Sequence, residues 1–153
     1  MKCLSECITG IIGLKMKIKT DFVTNSSSTC FVVMRKGEIL FDDFIEAVGI
    51  DANSQFFDIY QELFQLCLTN LTPLEEFIYA DRWYKEGTTI DDYIKSVFSE
   101  ATLNRIKKAQ NDGYTVYMGR LVSDNNAIES YFCTSAFLIE TKNLIIDGTC
   151  YGW

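Results

Sequence analysis

Histidine is absent from all 153 residues. Its absence removes the Ser-His-Asp and Cys-His pairs, the imidazole zinc ligand and the imidazole proton shuttle. Proline occurs once, at Pro73, in a chain that is 48% hydrophobic, which opposes intrinsic disorder. There is no glycine-rich phosphate loop of the Walker or dinucleotide type; Gly10-x-x-Gly13 precedes no suitable helix. Long apolar runs are missing too. Ile8–Leu14 is too short to span a membrane, and no small-residue cleavage site follows it, so it reads poorly as a signal peptide. Basic residues are scarce: 14 Lys and Arg stand against 21 Asp and Glu, giving a net charge of −7. Lys2, Lys15, Lys17 and Lys19 lie in the first 19 residues against Glu6 alone, which leaves the rest of the chain acidic. An acidic body opposes direct binding to nucleic acid and suits a plain solvated surface, a basic partner or mimicry of a nucleic acid surface.

The chemistry that remains is sparse. Six cysteines are present, at positions 3, 7, 30, 67, 133 and 150. A domain of this length needs no disulfide staples, and without an export signal reduced thiols in a cytoplasm are expected. Cys3 and Cys7 have helical spacing but no further ligands, so no zinc site is expected, and no other metal or cofactor. The pairs Asp42/Asp43, Glu75/Glu76 and Asp91/Asp92 sit at helix starts, where negative charge suits the macrodipole. Adjacent residues point apart on a helix, so these pairs make poor acid–base couples. Asp124 and Asp147 fall at strand ends without calcium-loop spacing.

The periodicity is clearer. Lys17–Phe22 alternates like a half-buried strand, and Cys30–Met34 is a short apolar run suited to a central strand. Phe41, Phe44, Ile45 and Val48 then recur at helical spacing up to Gly49. A second helix is predicted over Gln55–Thr69, apolar on most of its circumference. A third starts at Thr72-Pro73-Leu74-Glu75 and is expected to run to Glu86. Thr89 and Ser99 cap two more, the last ending at Gly113. From Tyr114 onward the pattern is that of strands: Tyr114–Val122, then a hairpin of Phe137–Glu140 and Leu144–Asp147 about Thr141-Lys142-Asn143. Asp124-Asn125-Asn126 reads as a loop. Strands and helices are thus segregated. The expectation is an α+β fold: a largely antiparallel sheet of about five strands, with four or five helices from the central segment packed on one face. Residues 1–15 read as an N-terminal extension and 16–153 as a single domain, with Met16 a possible start.

Aromatic residues are plentiful, at 11 Phe, 8 Tyr and 2 Trp. Phe56, Ile59, Leu63 and Leu66 read as core. Trp83, Tyr84, Tyr131 and Trp153 are the candidates for a partner contact surface, because Tyr and Trp give large rigid contacts at low entropic cost.

The least ordinary stretch is Thr24–Thr29, six consecutive small hydroxyl or amide residues flanked by strand-like sequence. Read plainly, it is a polar connection between strands. It also offers Asn25, Ser26, Ser27 and Ser28 as ligand-binding candidates, through hydroxyls and backbone N–H groups. Asp21 and Cys30 are the candidate catalytic pair if the loop is an enzyme site. Met16-Lys17-Ile18-Lys19-Thr20-Asp21-Phe22-Val23-Thr24-Asn25-Ser26-Ser27-Ser28-Thr29-Cys30-Phe31 resembles the opening of a loose group of uncharacterised bacterial and phage proteins. These begin with a basic strand, then Phe-Val-(Ser/Thr)-Asn and a serine run closed by Phe. Thr29 and Cys30 stand here in place of the last two serines. The resemblance covers about a tenth of the chain. It implies an intracellular protein of bacteria, a phage or a mobile element, and brings no established activity with it. The leading expectation is a non-enzymatic module that binds a protein partner through an acidic, aromatic surface. The alternative is a Cys/Ser-dependent enzyme or small anionic-ligand binder using the Asp21–Cys30 loop.

Overall fold

Apolar residues fill both sides of the first strand, and that decides the architecture. The structure, a computed structural model, describes residues 28–133 and 136–149. Strand β1 (Ser28–Arg35) pairs along its whole length with β3 (Thr115–Val122) and, at Val32–Arg35, with β5 (Leu144–Gly148), always antiparallel. β4 (Phe137–Glu140) closes one edge and β2 (Thr72–Pro73) the other, giving the order β2-β3-β1-β5-β4. The fold is α+β, with one antiparallel five-stranded sheet and helices drawn mainly from the middle of the chain.

The helices divide between the two faces of the sheet instead of gathering on one. Phe31 and Val33 point to a core formed with α1 (Phe41–Val48), α2 (Phe57–Leu68) and α6 (Ala127–Cys133). Val32 and Met34 point the other way, to a core formed with α3 (Leu74–Ala80), α4 (Ile90–Val97) and α5 (Glu100–Asn111). A side-chain period of two along the run Cys30–Met34, apolar at every position, requires both faces to be covered.

Several helix boundaries follow from local chemistry. Thr89 Oγ1 accepts the Asp92 N–H, and Ser99 Oγ accepts the Thr102 N–H, as expected of caps. The three carboxylate pairs do lie in first helical turns. Three boundaries differ from expectation. Thr72 does not cap α3; it and Pro73 pair with Met118 and Tyr117 as β2. Helix α3 stops at Ala80, not Glu86, because the Asp81 carboxylate accepts the Trp83 backbone N–H and the Tyr93 hydroxyl, holding Asp81 in an extended conformation. Helix α6 follows the expected loop 124–126. Its signal was the spacing Asn126-x-x-Glu129: Asn126 Oδ1 accepts the Glu129 N–H, and Glu129 returns to the Asn126 and Asn125 amides. The buried Glu129 carboxylate also takes the Val122 N–H, tying α6 to the end of β3.

A row of alternating small and large residues crosses the sheet. Gly119 of β3 lies opposite Phe31 of β1, and Gly148 of β5 opposite Phe137 of β4. Each phenyl ring lies over its glycine, and the two rings are 6.3 Å apart. On the other face, the buried Asp147 carboxylate joins β5 to α5 through Arg105 and Thr102. No helix among the described residues is long and apolar enough to cross a membrane.

Candidate functional site

Three of the residues singled out in the sequence, Ser28, Cys30 and Trp83, meet at one cleft of about 630 Å³. Volumes of roughly 300–1,000 Å³ are usual for small-ligand and peptide-side-chain sites. The register of the sheet builds its floor. Cys30 pairs with Arg120 across β1 and β3, and the Arg120 Nη2 donates to Ser28 Oγ at 2.8 Å. The α3–α4 connection builds its wall and rim. Asp81 is the anchor: Oδ1 accepts the Trp83 N–H at 3.0 Å, and Oδ2 accepts the hydroxyl of Tyr93 from α4. This fixes the turn that carries Arg82 and Trp83 outward. The Arg82 guanidinium lies 5.0 Å from the Trp83 ring centre. Behind them, Tyr84 packs edge-on against Tyr79 at 5.3 Å and Tyr93 at 6.0 Å, and its hydroxyl donates to the Thr88 carbonyl.

The electrostatics of the cleft disfavour a nucleophile. Burial pushes the Cys30 thiol above its ordinary value, Arg120 pulls it down less strongly, and Asp81 adds to the rise. Burial, the hydrogen bond to Asp81 and the Asp81 charge likewise raise the Tyr93 phenol. Both groups are therefore neutral near pH 7, and neither is primed to attack or to abstract a proton. Alkylation of Cys30 followed by peptide mapping should show a midpoint above that of a free cysteine. A Cys30 that reacts as a thiolate below pH 7 would restore the enzyme reading. Glu76 and Asp81 offset Arg82 and Arg120, so the lining of the cleft is mixed rather than of one sign. Among the described residues neither arginine forms an ion pair with a carboxylate, and no group of three or more Cys, Asp or Glu is placed to hold a metal.

The other sequence candidates fall elsewhere. Asp21, Asn25, Ser26, Ser27 and Trp153 lie outside the described residues, as does the expected strand at 17–22. Trp83 and Tyr84 are together, Trp83 at the rim and Tyr84 half-buried behind it. Tyr131 belongs to α6, on the opposite face of the sheet, so these aromatic residues do not form one surface. Sequence reasoning missed Arg82, Arg120, Asp81 and Tyr93. Arg82 adjoins Trp83 in the chain, a signal that was there to be read; the meeting of Asp81, Tyr93 and Arg120 depends on pairing over long separations.

Comparison with known proteins returns no match: no family model, no curated protein and no solved structure is similar to this chain.

Proposed function

We propose that the chain is a non-enzymatic interaction module that binds a protein partner at the cleft beside Trp83. The observation that carries this reading is the Trp83 indole, 60% exposed at the rim of a cleft and set there by a turn that Asp81 fixes from both sides. An indole held by its backbone contributes contact area at little ordering cost. Arg82 and Arg120 supply donors for carbonyl or carboxylate oxygens of the bound segment, and Glu76 and Asp81 restrain the affinity for a bare polyanion. Binding to nucleic acid is opposed by the net charge of −7. The proposed setting is the cytoplasm of a bacterial cell, with the chain encoded by the host, a phage or a mobile element.

Affinity capture from source cells tests it. Trp83→Ala should lower the recovered partner about tenfold or more, the size of effect a buried aromatic anchor gives, while Trp83→Phe retains part of the binding. Equal recovery by wild type and folded Trp83→Ala would remove the cleft from the interface.

A second reading keeps the same cleft for a small anionic ligand. Arg82 and Arg120, neither of which pairs with a carboxylate among the described residues, favour it. The neutral Cys30 thiol counts against a catalytic version of the site.

A further inference from the structure

The opposite face of the molecule has a different chemistry. Between Gly37 and Asp81 the chain holds ten Asp and Glu residues and no Lys or Arg. The topology places most of that stretch on one side. Helices α1, α2 and α6, which cover the Phe31 face, carry six carboxylates and no basic residue. Helices α3, α4 and α5, on the other face, carry five carboxylates and four basic residues.

An aromatic patch lies on the acidic face. Tyr131 is 58% exposed, and Phe56, expected in the core, is 49% exposed because it precedes the first turn of α2. Tyr60 connects them: it lies one helical turn beyond Phe56, and its ring packs edge-on against Phe132 at 6.1 Å. Tyr131 packs on the same Phe132 ring at 5.1 Å. Tyr60 and Tyr131 thus share one base, Phe132, which is itself buried against Phe137. Asp58 and Glu62 are exposed on α2, on either side of Tyr60 in the chain. Arg35, which lies over the Tyr117 ring, and Lys36 line a cleft that takes in Leu68, at the far end of α2.

We infer that this Phe56–Tyr60–Tyr131 surface is a second docking site and that its occupant is a cationic segment of another protein carrying an apolar anchor. Aromatic anchors in the middle of a contact supply most of its energy. The flanking carboxylates set the sign of the partner and steer its approach. Exposed Tyr and Phe rings also accept Lys and Arg over their faces. The site is distinct from the cleft, so its test does not stand or fall with the function proposed there.

Selection from a randomised-peptide display library against the full chain tests it directly. The expected peptides carry an excess of Lys and Arg around an aliphatic or aromatic residue. They should bind the Asp58→Asn/Glu62→Gln double variant and the Tyr131→Ala variant at least about tenfold more weakly than wild type. Their affinity should fall as salt is added. All these side chains are exposed, so the variants should fold. Three results would overturn the inference: no enriched peptide, enriched peptides without net positive charge, or equal affinity for wild type and all three substitutions. Peptides lost on Trp83→Ala but indifferent to Tyr131→Ala would support the cleft and also overturn this second site.

Discussion

An Asp147→Ala variant should lose about 3–5 kcal/mol of stability, the usual cost of removing one partner from a buried ion pair. Asp147 is only 3% exposed. Its carboxylate takes Arg105 and Thr102 from α5, and the Thr149 N–H at 3.0 Å, so one side chain joins the sheet, a helix and the turn after β5. Truncation leaves the Arg105 guanidinium, itself largely covered, facing a methyl group. For a chain of this size each kcal/mol is worth roughly 2–4 °C, so thermal unfolding should move down by about 6–20 °C. Asp147→Asn keeps the oxygen for the Thr149 N–H and gives up the charge, and should cost less than Asp147→Ala. A Tm within a degree or two of wild type for Asp147→Ala would show that the pair contributes little.

Gly119→Ala should be comparably damaging for a steric reason. A Cβ built on Gly119 falls within 3.0 Å of three atoms of the Phe31 ring. Phe31 is buried in the centre of the sheet and cannot swing away, because Phe137 stands beside it over Gly148. Overpacking a filled core costs about 1–3 kcal/mol and more when the obstacle is rigid, so a loss of about 3 kcal/mol is expected in urea unfolding. The pair can be tested as a pair. Phe31→Leu alone removes ring contacts and destabilises; combined with Gly119→Ala it should cost clearly less than the two changes added together. Additive losses would mean that the ring and the new methyl never met.

Much of this core could be read from the sequence. The run Cys30–Met34 announced a central strand, Thr89 and Ser99 announced their helices, and Thr141-Lys142-Asn143 announced the hairpin; each signal is local and each element is present. The same run, apolar at every position, already implied cover on both faces, which the segregated order of elements obscured. The early end of α3 was not legible, because Asp81 leaves the helix to meet Tyr93 twelve residues later. The candidate site was legible in part. Cys30 and Trp83 stood out as residue types, but only the β1–β3 register and the Asp81 turn bring them to one cleft. Tyr131 stood out equally and lies on the far side of the sheet, since residue type carries no information about which face a helix will cover.

The unequal charge of the two helical layers gives the molecule a direction. With six carboxylates and no base on one layer and a near-balanced set on the other, the sheet separates regions of different potential. Among the described residues the helical layers therefore divide charge unevenly across the sheet, and a charged support acts on that division as a torque as well as a pull. On an anion-exchange resin or a cationic sensor surface it should land with α1, α2 and α6 downward and the Trp83 cleft facing the solution. Immobilised in that way, the chain would present one layer to ligands and withhold the other.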